Sequence, residues 1–364
     1  MSIAHIQQRQ FAISRVPQAD YATATVKNTL APLNFTELLV KDKNLAKYQV
    51  ATKDNKGYST RNDFPTEQWM LSHDVTRQFE FEPASDPLGR ILMLACGSVV
   101  TTQPDATNAP TAFQHVFDPQ DPNVSRQLPA TTLVEKVGNA VDALYPSCIV
   151  ESFGLKGEGI DRITSTFGLR GSGKRITPST LAFATHVHPA ASQKYFFNSQ
   201  VSLTVADAGT LDNSTAYGVA KRLESWEINI DNQLLADDGY RPGSTDFQNA
   251  GDTTSGAIRS ECLFGERSIT GMFVVRVDSG SDEYTALKSQ SPLDFKIVLT
   301  GPLIASTFHH SLSIESALMS YEAIEYGERN GIVTLQIKPK FLYDTTTGKI
   351  LTITLVNECV SYEG

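Results

Sequence analysis

The string Gly168-Leu169-Arg170-Gly171-Ser172-Gly173-Lys174-Arg175 comes nearest to a chemical motif in this chain. It resembles G-x-x-x-x-G-K-[ST], in which backbone amides and a lysine cradle phosphates and a hydroxyl holds Mg²⁺. Here Arg175 stands where the hydroxyl is needed, and Ile176-Thr177-Pro178 follow where a helix must begin. A proline so soon after Lys174 opposes a continuous helix, so the string reads as a strand end with solvated cations. His186-Val187-His188 offers two imidazoles on one side of a strand, a spacing able to chelate a metal. His309-His310 is a second histidine pair. Neither has companions at a recognised ligand spacing, so both read as surface or turn histidines, and no metal or cofactor is expected. No G-x-S-x-G elbow is present for a nucleophilic serine. Glu224 with Glu227, and Asp237 with Asp238, could be paired as acid and base, but acids so close in loops are ordinarily solvent-facing charges. No residue is assigned a catalytic role, and the chain does not read as an enzyme.

The elements that would position such residues are mostly strands. Trp226, Ile228 and Ile230 alternate with Ser225, Glu227, Asn229 and Asp231, the period-two pattern of a half-buried strand. Ile163, Phe167 and Leu169 do the same against Arg162, Thr164, Thr166 and Arg170. So do Phe273, Val275 and Val277, and Leu293, Phe295, Ile297 and Leu299. Val333 to Ile337 and Leu351 to Leu355 read as a hairpin around Thr345-Thr346-Thr347-Gly348. Helices are scarce. Pro87 to Cys96 is the best candidate, with Asp86 as N-cap, Gly97 as terminator and Leu88, Ile91, Leu92 and Ala95 on one stripe. A shorter helix is expected over Asp282 to Lys288, capped by Ser281. Two long loops, Thr101 to Thr131 and Ala236 to Glu266, read as arms that order against a neighbouring subunit, since structureless loops of that length are ordinarily functional or disordered. A weak internal echo sets the strand pair at Cys148–Gly171 beside the pair at Leu223–Asp278, hinting at a duplicated β module.

A length of 364 residues allows about two domains or one large all-β unit. Lys plus Arg number 31 and Asp plus Glu 40, a net charge of −9, so the chain lacks the excess of cations that tight binding to nucleic-acid phosphates draws on. Cys96, Cys148, Cys262 and Cys359 are isolated and read as buried thiols in a reducing compartment. The first ten residues lack a signal-peptide core, and no apolar run reaches the ~20 residues of a membrane helix. Neither export by that route nor membrane insertion is expected.

An acidic, β-rich chain with long polar loops and no chemistry fits an assembly unit, and its segments resemble tail tube (major tail) proteins of long-tailed bacteriophages. The likeness runs through the helix leading into Gly97-Ser98-Val99-Val100-Thr101-Thr102, then Phe113-Gln114-His115-Val116-Phe117 and Pro129 to Glu135. It continues through the strand pair Ile149 to Arg170, Ser225 to Leu234, Arg267 to Val277 and Leu293 to Thr300. It rests on the order of the elements over about residues 85 to 300. The resemblance implies an antiparallel β-sandwich or barrel unit with one or two short helices. Rings of such units stack into a tube with an electronegative channel for the genome. The implied partners are other copies of the chain, as hexamers or pseudo-hexameric trimers, and tape measure, terminator and distal tail proteins. DNA would pass without specific binding. The implied location is the virion tail, assembled in the host cytoplasm. The expected organisation is residues 1–80 as an arm or first strands, 81–215 as a first β module and 216–364 as a second. Glu227, Asp231 and Asp294 are candidate lumen-facing acids, with outer-surface solubility as their alternative role. The alternative function is a baseplate or carbohydrate-binding adhesion protein of a virion.

Overall fold

The computed structural model describes residues 9–18, 35–41, 44–55, 67–119, 128–138, 140–177, 194–209, 223–235, 238–241, 258–277 and 283–363. Among these the protein is mainly β, as the alternation predicts, with sixteen antiparallel strands and two α-helices. The first half carries β1 (Arg9–Ser14), β2 (Phe35–Glu37), β3 (Lys47–Asn55), β4 (Glu67–Phe81), α1 (Ser85–Cys96), β5 (Val100–Thr102), β6 (Phe113–Phe117), β7 (Thr131–Val137), β8 (Val141–Glu158) and β9 (Thr164–Gly171). The second half carries β10 (Val201–Asp207), β11 (Leu223–Asp231), β12 (Ser268–Arg276), α2 (Glu283–Ser289), β13 (Leu293–Ala305), β14 (Phe308–Arg329), β15 (Ile332–Phe341) and β16 (Thr352–Asn357).

Eight strands build one broad sheet in the order β3-β4-β9-β8-β11-β12-β15-β14. The long strands β8 and β14 also leave it. The first part of β8 pairs with β7, and the first part of β14 pairs with β13 and β16. With β1 on β7 and β10 on β13, these parts supply the side chains that cover one face of the broad sheet. Phe11 of β1 meets Phe79 of β4 edge-on at 5.6 Å, and Phe295 of β13 meets Phe273 of β12 at 6.1 Å. The other face is polar, as the burial of β11 makes plain. Trp226, Ile228 and Ile230 are buried, while Glu227 and Asn229 are half-buried and Asp231 is exposed.

Helix α1 begins at Ser85, so Asp86 lies in its first turn and Ala84 holds the cap position without a side-chain bond. Gly97 ends it in the left-handed region at φ 93°, where glycine has no Cβ to clash. Every residue of α1 except Asp86 is buried, so the helix is a core element on all sides. Helix α2 starts at Glu283, and the expected cap Ser281 lies outside the described residues. No helix among the described residues is long and apolar enough to cross a membrane.

Two expectations are corrected. The segment Thr101 to Thr131 is not one structureless arm, because β6 within it pairs with β16 from the far end of the chain. The strands at 333–337 and 351–355 do not form a hairpin with each other. β15 and β16 both pair with β14, through Tyr326↔Leu335 and Ile314↔Ile353 respectively, on the edge opposite β13. They run end to end, and the bridge Asp344↔Lys349 closes the turn between them as an excursion. Within the broad sheet, β3-β4-β9-β8 on one side and β11-β12-β15-β14 on the other run in the same order along the chain.

Candidate functional site

The residues with chemical potential are dispersed. The phosphate-loop lookalike runs off β9 into an isolated bridge, Leu144↔Ile176. Two of its three cations, Arg170 and Lys174, are not solvated as expected, whereas Arg175 is exposed. Arg170 is held by Asp74 at 2.7 Å and Glu151 at 3.0 Å, and Lys174 is buried. Burial and ion pairing remove both from any phosphate. His309 and His310 are neighbours on β14 and therefore point to opposite faces. His309 Nδ1 lies 3.0 Å from the Gly301 carbonyl, and His310 is buried beside Ser85, with burial pushing its pKa below 6.5. His186, His188 and Asp237 lie outside the described residues. Among the described residues no group of three acid, histidine or cysteine side chains is arranged to hold a metal. Glu224 pairs with Arg276 and with Arg329, whereas Glu227 accepts a hydrogen bond from Asn229 Nδ2 at 2.7 Å. Burial pushes the Cys96 and Cys148 thiols up to about 12, which leaves them inert as nucleophiles.

What the fold does assemble is a polar surface. The side of the broad sheet away from the core carries Thr166, Ser152, Lys156, Glu227, Asn229 and Asp231. Gly154 lies among them because Asn229 fills its side-chain space; a Cβ there would stand 2.4 Å from Oδ1. Some cations on this face are tied to carboxylates, Lys156 to Glu158 at 3.3 Å and Lys338 to Glu325 at 2.9 Å, while Lys47 and Lys340 are exposed. Glu227 and Asp231 have no cation partner among the described residues; Asp231 accepts the Gln233 amide at 2.8 Å. Two of the candidate acids therefore share one strand and one face. Asp294 stands apart on β13, outside the broad sheet, and is 5% exposed. Its Oδ2 accepts the Gly209 amide at 2.7 Å, closing the turn after β10.

The broad sheet also ends openly on both sides. The outer edge of β3 and the edge of β14 beyond Met319, opposite β15, carry no strand among the described residues. Apolar side chains gather near both, with Tyr48 40% and Tyr326 70% exposed. Sequence alternation picked out β9, β11, β12 and β13 but neither of these two edge strands, and edge position depends on long-range pairing that alternation does not encode. Such edges invite pairing with another chain.

No curated protein matches the chain. The family described as phage tail tube protein matches residues 61–340, which is most of the chain and includes seven of the eight broad-sheet strands entire or nearly so. A mainly β protomer with open sheet edges agrees with that match, and the chain belongs to the phage tail tube protein family, the structural subunits of phage tails.

Proposed function

We propose that copies of this chain close side by side into rings, that the rings stack into the tail tube, and that the polar face of the broad sheet lines the channel through which the genome passes. The observation that carries this reading is the eight-stranded sheet with one covered face and two open edges. Joining β14 of one copy to β3 of the next satisfies backbone groups that an isolated sheet leaves to solvent. The face that bears the core, with α1 and the strands around β7 and β13, must then lie outside, since a second layer inside would fill the bore. Glu227 and Asp231 become lumen acids in this arrangement. Asp294 becomes a residue of the outer layer with a structural role. Head-to-tail contact between rings is heterologous and grows a filament.

Barrel geometry favours three copies per ring. Three sheets of eight strands give 24 strands, which at ~4.8 Å spacing and ~40° tilt close at a backbone diameter of roughly 45–50 Å. Six such sheets would open it to roughly 100 Å, far wider than a DNA duplex requires. Family membership supports further contacts with terminator, distal tail and tape measure proteins, and assembly in the host cytoplasm. Electron microscopy of the purified protein tests the reading. Rings or tubes with threefold symmetry are expected; a monomer at high concentration by sedimentation would count against it.

A further inference from the structure

We infer that the seam between neighbouring copies repeats, residue for residue, the seam already present inside the chain between β8 and β11; this rests on the tube reading above. The two halves of the protein share more than strand order. Arg9 pairs with Val137 as Val201 pairs with Leu299, and Phe11 with Glu135 as Leu203 with Ile297. Both β7–β8 and β13–β14 slip at the same point. Thr131↔Cys148 is followed by Leu133↔Tyr145, and Leu293↔Met319 by Phe295↔Ser316. Three residues beyond Cys148 and Met319 a second irregularity recurs, leaving Glu151 and Glu322 as the extra residues of bulges against β9 and β15. Bulges are built features of a fold, and two at matching places mark one module used twice. The modules run from β1 to β9 and from β10 to β15, in place of units divided at residues 80 and 215.

Carrying the registers across gives the seam. Gly154 and Phe153 of β8 correspond to Glu325 and Ile324 of β14 through β9 and β15. Asn229 and Ile230 of β11 correspond to Lys47 and Tyr48 of β3 through β4 and β12. Inside the chain Gly154 lies opposite Asn229 and Phe153 opposite Ile230. Between copies, Glu325 therefore lies opposite Lys47 of the next copy, and Ile324 opposite its Tyr48. Exposure agrees. Ile230 and Leu155 are each 1% exposed at the internal seam, whereas their counterparts Tyr48 and Tyr326 are 40% and 70% exposed. The apolar positions left open in the protomer are those that a neighbour would cover, and Glu325 meets an opposite charge.

Zero-length carbodiimide coupling of the wild-type protein, followed by peptide mass spectrometry, tests this directly. An amide between Glu325 and Lys47 is expected in tubes and absent from monomer. The Glu325–Lys338 amide, from a pair 2.9 Å apart within the chain, serves as the internal standard in both. Within one protomer Lys47 and Glu325 are seven strand spacings apart, roughly 30 Å, so their coupling reports contact between copies. The double variant K47C/E325C should likewise give disulfide-linked oligomers on oxidation, since directly opposed residues lie about 4.5–5.5 Å apart at Cα. The out-of-register pair K47C/R329C should not. Tubes visible by microscopy that lack the 47–325 amide, or oxidation that links K47C/R329C and leaves K47C/E325C unlinked, overturn the seam and leave the tube standing. Absence of rings and tubes from wild-type protein overturns the tube reading, and the seam with it.

Discussion

Gly89 is the fifth residue of α1, where its weak helix propensity counts against the helix. Packing supplies the reason for it. A Cβ at this position would stand 2.1 Å from Cζ of Tyr362, a ring that is 1% exposed and whose hydroxyl accepts from Asn357 Nδ2 at 2.6 Å. Gly89→Ala should therefore lower stability by about 1–3 kcal/mol through overpacking, against a propensity gain of ~1 kcal/mol. Denaturant midpoints check this, and a variant at least as stable as the parent would mean the ring yields. The same Asn357 fixes His115. Its Oδ1 accepts from the Cys359 amide at 2.9 Å and faces His115 Nε2 at 3.1 Å, so Nε2 donates and Nδ1 accepts from the Thr101 hydroxyl at 2.9 Å. Burial holds His115 neutral and its pKa below 6.5. The unfolded chain then binds more protons as pH falls. Stability is present above about pH 6.5 and lost progressively below it, towards the depressed folded value. His115→Gln should show a shallower loss of stability between about pH 7 and pH 5, with His310 retaining part of the slope. An unchanged slope would exclude His115 as a contributor. Neither site was legible in the sequence, because Tyr362 and Asn357 lie at the opposite end of the chain from their partners. Phe113 to Phe117 carried a family likeness, but nothing in it announced a buried polar network.

Elements were legible where one face is buried and the other wet, as along β9, β11 and β13. Partners were not, because ladder pairing joins segments far apart in sequence. Thus β15 and β16 looked like a hairpin across a good turn, while β14, a strand of 22 residues, claims both. One pair of elements carries a difference between the two inferred modules. Arg77 on β4 and Glu135 on β7 are each 1% exposed, with Nε and Oε1 3.6 Å apart, and the guanidinium lies over Phe11 and Phe79. Glu135 also accepts the Ala46 amide at 2.8 Å. At the matching places the second module has Gly271 and Ile297, so it closes the same layer without charge. Glu135→Ile alone strands the buried guanidinium and is expected to cost about 3–5 kcal/mol. Joint replacement with Arg77→Met should recover much of that loss, since apolar side chains of similar volume can replace a buried ion pair at little cost. A double-mutant cycle by chemical denaturation measures this coupling, and strictly additive losses would mean that the two charges do not depend on each other.

At the scale of the whole molecule the net charge of −9 told only that tight DNA binding is disfavoured; it did not say where the carboxylates stand. Duplex DNA carries one charge per ~1.7 Å of its axis, so a channel that must release its cargo needs net repulsion along its wall. On the polar face Lys156 and Lys338 are held by acids, while Glu227 and Asp231 keep no cation partner among the described residues. Replacing both, Glu227→Lys with Asp231→Lys, reverses the charge at these points without touching the core. Both side chains leave the sheet on the side away from Trp226, Ile228 and Ile230, so the protomer should fold and tubes should form in normal yield. The variant tubes should retain duplex DNA at low salt and release it as salt rises, with a slope steeper than wild type because each phosphate contact releases a counterion. Particles built from the variant should eject their genomes more slowly. If variant tubes of normal length hold no more DNA than wild-type tubes at any ionic strength, then the polar face looks outward and the sheet closes around the bore the other way.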